Sequence, residues 1–220
     1  MLYIVSTPIG NLGDFTFRAI EILKQCDVII AEDSRKISIV LNKYDIDKKP
    51  IFIYNEFNEQ KSTPRLVEML KQGRTVALTT DAGTPGISDP GFLLVREALR
   101  EGIPVSPIPG PCAFVSALVC SGLPMIQFQF IGFSPRKQMQ KRKLFAMLPR
   151  KTTTVFYESP HRIHQTLEIM AETIPDYQVT VAREITKVYE EFIRGTAMQV
   201  HQMCKDKVLK GEISVCVYIP

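Results

Sequence analysis

The run Asp81-Ala82-Gly83-Thr84-Pro85-Gly86-Ile87-Ser88-Asp89-Pro90-Gly91 decides how this chain folds. It follows the apolar stretch Thr75 to Leu78 and precedes an amphipathic one, Phe92 to Arg100. Strand, loop and helix in that order put the loop at the carboxyl end of a strand, where open α/β sheets hold their ligands. Glycine at positions 83, 86 and 91 permits positive φ and close backbone approach, and proline at 85 and 90 fixes φ. A stiff loop of bare backbone and small hydroxyls suits a small-molecule cofactor. The plainer alternative is a tight strand-to-helix turn, and one short motif does not separate the two.

Working outward, strand and helix alternate through the first half. The strand candidates are Leu2–Ser6, Val28–Ala31, Ile51–Ile53, Val76–Thr79 and Pro104–Ile108. They are short and rich in Val and Ile, as parallel strands buried on both faces are. Helices are expected over Phe15–Gln25, Ser34–Lys43, Pro64–Gln72, Phe92–Glu101 and Cys112–Cys120. Ala19, Ile22, Leu23 and Cys26 fall on one helical stripe. Gly73 and Gly102 stand where helix-ending glycines stand. This alternation predicts a parallel α/β sheet. After Ser121 the elements shorten and become more polar between. Strands are expected over Phe128–Ile131, Thr153–Tyr157, Gln178–Ala182, Glu191–Arg194 and Glu212–Ile219, with helices over Pro160–Thr173 and Ala197–Cys204. The fold class is α/β in two domains, residues 1–122 and 123–220, with the main loop facing a cleft between them, since such clefts are common ligand sites.

Composition bounds the function. The hydrophobic fraction is 45%, the charged fraction 23% and the formal net charge +4, which is ordinary for a globular protein. No apolar run has the length of a membrane span. The N-terminus enters a strand without a basic leader, so no signal peptide and a cytoplasmic location are expected. Five scattered cysteines without a CxxC pair read as reduced thiols, with Cys26, Cys120 and Cys216 in apolar core contexts. No ligand set for a metal is spaced correctly, His161 and His164 included. There is no GxGxxG after the first strand, no GxxxxGK[ST], and no nucleophile elbow. Dinucleotide, P-loop and hydrolase chemistry lose support accordingly.

Other tips offer functional groups. Thr7 to Asp14 is Gly-rich. Glu32-Asp33-Ser34-Arg35 puts two carboxylates and a guanidinium at a strand end, where helix capping is the plainer role for Asp33 and Ser34. Pro109-Gly110-Pro111 leaves bare amides at a helix start. Glu158, His161 and Arg162 crowd a strand end, as do Arg183, Glu184 and Lys187; charge pairing on a solvated edge accounts for the latter equally well. Arg136, Lys137, Lys141, Arg142 and Lys143 form a basic cluster, either a polyanion site or a solvated helix face.

Taken together, TPIGNLGD, EDSR, DAGTPGISDPG, PIPGP, GFSPRK, FYESPHR, ARE-TK-YEE-RG and the KGE before the last strand resemble one family. It is the bacterial 16S ribosomal RNA cytidine 2′-O-methyltransferases, within the tetrapyrrole methylase class. The resemblance runs from Leu2 to about Ile219; relatives often carry a further C-terminal extension, and Cys112 stands where they usually have serine or threonine. It implies S-adenosylmethionine as cofactor, held by Pro8, Ala82, Gly83, Thr84, Ile87, Cys112, Ala113, Tyr157 and Ala182. It implies 16S RNA of the small ribosomal subunit as substrate and a homodimer as assembly. Asp33, Glu158 and Glu184 are candidate proton acceptors for the ribose hydroxyl. Arg35, Arg136, Lys137, Lys141, Arg142, Lys143, Arg162, Arg183 and Lys187 are candidates for holding RNA phosphates. Methylation of a tetrapyrrole or other small molecule on the same scaffold is the alternative.

Overall fold

The computed structural model describes residues 1–220. It divides into two compact units, Met1–Cys112 and Ala113–Pro220.

The first unit runs β1 (Leu2–Val5), α1 (Phe17–Gln25), β2 (Val28–Ala31), α2 (Ser34–Lys43), β3 (Ile51–Ile53), α3 (Glu59–Lys71), β4 (Val76–Leu78), α4 (Phe92–Arg100) and β5 (Val105–Ile108), with a short 3-10 turn at Leu12–Asp14. The sheet order is β3-β2-β4-β1-β5, and every pairing is parallel. Parallel neighbours need crossovers, and the four helices supply them. Val5, Ile29, Ala31, Ala77 and Ile108 pack with Ala19 and Leu23 of α1 and Ile37, Val40 and Leu41 of α2. On the opposite face Leu2, Val28, Ile30, Val76 and Leu78 pack with Leu66 and Leu70 of α3 and Leu94 and Ala98 of α4. Burial on both faces explains why β2 and β4 are apolar at every position. Thr16 starts α1 by accepting the Ala19 amide at 3.2 Å, and Gly73 and Gly102 end α3 and α4 with φ of +85° and +69°. Helix α3 begins ahead of the expected Pro64 and takes that proline inside. The Thr63 hydroxyl donates to the Glu59 carbonyl at 2.6 Å, tying the turn that the proline interrupts.

The second unit runs α5 (Ala113–Val119), β6 (Phe128–Phe133), α6 (Gln138–Ala146), β7 (Thr152–Glu158), α7 (Ile163–Thr173), β8 (Gln178–Arg183), β9 (Glu191–Thr196), α8 (Ala197–Cys204) and β10 (Ile213–Ile219). The order is β6-β7-β10-β8-β9; β6 and β7 are parallel and the other pairs antiparallel. Phe156, Val179, Val181, Val215 and Val217 face a core completed by Ile163, Leu167 and Met170 of α7 and Ala197 and Val200 of α8. Val155, Ala182 and Cys216 face the other way, onto Ala117 and Leu118 of α5. That packing puts α5 in the second unit, so the boundary falls after Cys112 and ahead of the expected one at 122. The buried cysteines are Cys26, Cys204 and Cys216, whereas Cys120 is exposed, contrary to its apolar context. Burial pushes the Cys216 thiol up to about 12. No helix is long and apolar enough to cross a membrane.

Candidate active site

In a parallel sheet all strands end on one side, so the tips of β1, β2, β4 and β5 share one edge of the first unit. Three of them are laced together. Thr7 and Gly83 exchange backbone hydrogen bonds at 2.8 and 3.0 Å. The Thr7 hydroxyl donates to the Thr80 carbonyl at 3.1 Å. The hydroxyls of Ser6 and Thr84 lie 2.9 Å apart, and that of Thr84 donates to the Pro111 carbonyl at 3.1 Å. Gly83 has φ of +88°, which a side chain would strain. A Cβ on Gly110 would stand 2.9 Å from Ser6 Cβ, so glycine is what lets the β5 tip meet the β1 tip. Pro8 is buried and Ala82, Thr84, Ile87 and Cys112 are partly exposed along this lace. These expected cofactor residues are therefore gathered on one rigid edge.

The other three, Ala113, Tyr157 and Ala182, come together in the second unit. Ser214 is in register with both Tyr157 and Ala182, so the three share one row and one face of the sheet. The Tyr157 hydroxyl accepts the Phe114 amide at 3.2 Å, beside Ala113.

The expected proton acceptors fare differently. Asp33 caps α2, accepting the Arg35 amide at 2.9 Å and the Arg35 guanidinium at 2.6 Å. Those bonds hold its carboxyl down at about 2, which makes it a poor base. Glu158 is buried, and burial by itself raises its carboxyl. Hydrogen bonds from Ser134, Thr166 and Lys141 outweigh that and hold it below the usual range. The Arg162 guanidinium adds a contact at 2.8 Å. Glu184 is held low chiefly by the Lys187 ammonium, 2.8 Å away. A carboxylate saturated with donors has little left to offer a substrate proton.

Glu32, which the sequence reading passed over in favour of its neighbour, has the opposite character. It follows β2 directly, its carboxylate accepts the Asp81 amide at 3.3 Å, and the Lys36 charge acts on it from α2. Burial raises its carboxyl above the usual glutamate range, against the opposing pull of the Asp81 amide. The signal was present in the sequence. Once Asp33 is the helix cap, Glu32 is the residue left on the sheet side of the tip.

The basic cluster also needs correction. Lys141 is fully buried; its ammonium pairs with Glu158 at 3.0 Å and donates to Thr166. It is removed from the phosphate-binding set, because Lys141 lies with Leu144 and Phe145 on the inward stripe of α6. Arg142 pairs with Glu172 at 2.5 Å, Arg35 with Asp33, Arg162 with Glu158, Arg183 with Glu191, and Lys187 with Glu184 and Glu212. Arg136, Lys137 and Lys143 are exposed. No cluster of three or more His, Cys, Asp or Glu side chains is placed to hold a metal ion.

The sequence pattern of the Tetrapyrrole (Corrin/Porphyrin) Methylases matches residues 1–201. The chain belongs to this methylase family. It is 49% identical to the Ribosomal RNA small subunit methyltransferase I of Halalkalibacterium halodurans over 98% of this chain and 75% of the other. It is 45% identical to the protein of the same name from Thermotoga maritima, over 97% and 96%. Among solved structures, diphthine synthase superposes with a TM-score of 0.71 at 15% identity, covering 99% of this chain and 89% of that one. A uroporphyrin-III C-methyltransferase from Thermus thermophilus, complexed with S-adenosyl homocysteine, superposes at 0.64 and 17% identity over 98% and 96%. At those identities the likeness concerns the fold, and it is the methylase fold in both units.

Proposed function

We propose that this methylase transfers a methyl group from S-adenosylmethionine to the ribose 2′-hydroxyl of a cytidine in 16S ribosomal RNA of the small subunit. The names of the 40–49% identical relatives support the RNA substrate. The laced tips of β1, β4 and β5 support the donor. They offer carbonyls, amides and small apolar side chains, and the acidic Asp81 among them is already paired with Lys36 at 3.0 Å. A neutral, preorganised edge suits a sulfonium compound, whose amino acid and ribose parts want amides and hydroxyls. Pro8, Ala82, Gly83, Thr84, Ile87 and Cys112, gathered on this edge of the first unit, hold it. When bound, the donor supplies an electrophilic methyl carbon.

The chain's own work is positioning and proton management. A ribose hydroxyl is a weak nucleophile, and Glu32 is the carboxylate suited to take its proton, while the bound donor would give up the methyl carbon by breaking its bond to sulfur and leave as a neutral thioether. A raised pKa narrows the gap to the hydroxyl it deprotonates. The observation that carries the donor site is the Thr7–Gly83 and Ser6–Thr84–Pro111 lace.

The test is transfer of labelled methyl. With small ribosomal subunits lacking the modification, label is expected in ribosomal RNA, on a cytidine 2′-oxygen. Label entering a corrin or porphyrin precursor and not RNA would replace this function with the small-molecule alternative. A homodimer is proposed with it, read by analytical ultracentrifugation.

A further inference from the structure

Strand β6 ends on Phe133, and its last turn of pairing is irregular. Phe130 is in register with Val155, and Phe133 with Tyr157. Thus β6 advances by one residue more than β7 between those pairs, a β-bulge, with Gly132 at φ +69° inside it. Side chains alternate along a strand, so a one-residue slip moves everything beyond it to the other face. Without the bulge Phe133 would point to the face of Glu158 and Lys141. With it, Phe133 joins Phe128, Phe130 and Tyr157 on the face that α5 covers in part.

The result is a continuous aromatic ladder. Phe114 and Phe130 stack at 4.5 Å, Phe130 meets Tyr157 edge-on at 4.9 Å, and Phe133 meets Tyr157 edge-on at 5.6 Å. Its outer rung is open, since Phe133 is 57% exposed. It is also held firmly. The Ser134 amide donates to the Tyr157 carbonyl at 3.2 Å, and the Ser134 hydroxyl bonds the buried Glu158. Immediately beyond, Arg136 and Lys137 are exposed.

A single exposed phenylalanine is unremarkable on a protein surface. A bulge that turns one outward, beside two cations and at the end of a ring ladder, is not accounted for by packing, because the same residue facing inward would bury more apolar surface. Bulges recur beside active sites, where they re-aim a side chain. Unpaired RNA bases are recognised by stacking on exposed aromatic rings next to phosphate-binding cations.

We propose that Phe133 is a stacking platform for an unpaired base of the RNA substrate, with Arg136 and Lys137 holding the adjoining phosphates. This rests on the RNA-methylating function above and adds to it the element that seats the substrate.

The chain contains no tryptophan, so Phe133→Trp introduces a unique fluorophore. Titration with small-subunit ribosomal RNA is expected to quench its emission with the midpoint found by filter binding. Phe17→Trp, at the exposed first position of α1, is expected to stay silent. In methyl transfer, Phe133→Ala is expected to raise KM for RNA about tenfold, and Phe133→Tyr to restore it. RNA that is bound and methylated while the Phe133→Trp emission stays constant and Phe133→Ala keeps its KM would overturn the platform and leave the function standing. A Phe133→Ala variant altered in oligomeric state and not in RNA affinity would assign the ring to a protein interface. Failure of the wild-type chain to bind or methylate RNA at all would remove both.

Discussion

Lys141 and Lys143 lie two positions apart on α6, roughly 200° around the helix axis, and their roles separate on that geometry. Lys143 faces solvent. Lys141 shares a buried network with Glu158, Thr166 and Ser134. Removing one partner of a buried ion pair leaves the other uncompensated. Lys141→Ala is expected to cost about 3–5 kcal/mol in chemical denaturation, and Lys141→Met combined with Glu158→Leu to recover part of it. The sign of the pH dependence follows from Glu158. Its folded carboxyl is lowered, so its stabilisation is present above the unfolded pKa and fades as pH falls through the folded one. Glu32 is the reverse case. Its carboxyl is raised by burial, so stability falls as pH climbs from the unfolded pKa to the raised folded one, the full cost stands above that, and it disappears on acidification below the unfolded pKa. For catalysis the ionised form is the useful one. The rate of methyl transfer is expected to climb with pH through an inflection above the ordinary glutamate range. Glu32→Gln is expected to lower the rate and remove that inflection while leaving the melting temperature at neutral pH unchanged or higher. A retained inflection in Glu32→Gln would assign the proton to another group.

At the scale of elements, the donor edge depends on how closely β1, β4 and β5 approach at their tips. Gly110→Ala places a Cβ 2.9 Å from Ser6 Cβ, closer than packed atoms tolerate, and part of the Ser6–Thr84–Pro111 lace must open. The expected result is a loss of about 1–3 kcal/mol in stability, with weaker S-adenosylmethionine binding by calorimetry; unchanged binding would show that the lace does not shape the donor seat. The elements themselves were largely legible. Val28–Ala31, Ile51–Ile53, Ser34–Lys43 and Ala197–Cys204 stand where periodicity put them, because buried parallel strands and amphipathic helices write their environment into consecutive residues. What was not legible depends on partners distant in sequence. Glu158 and Arg162 look like an exposed catalytic tip until Ser134, Lys141 and Thr166 close around them. The start of α3 ahead of Pro64 and the assignment of α5 to the second unit turn on tertiary contacts that local pattern does not carry. Phe133 left a trace in the Phe128, Phe130, Phe133 spacing, where a glycine interrupts the alternation, as bulges do.

For the whole molecule, a formal charge of +4 says little until the paired cations are set aside. Arg35, Arg142, Arg162, Arg183 and Lys187 each meet a carboxylate, and Lys141 is buried. The cluster that survives on the surface is Arg136, Lys137 and Lys143, following the Phe133 tip. Binding of a polyanion by exposed cations releases condensed counterions, so affinity falls with salt in proportion to the phosphates neutralised. Replacing those three by glutamine is expected to weaken RNA binding and to flatten the slope of log affinity against log salt by about 2, from roughly 0.7 per contact on single strands. Arg183→Gln, which removes a guanidinium already bonded to Glu191 at 2.8 Å, is expected to leave the slope as it is. The comparison separates a field set by net charge from a patch that touches phosphates. Equal flattening in both variants would mean that the chain attracts RNA by total charge, whereas flattening confined to the triple variant places the RNA backbone along the start of α6.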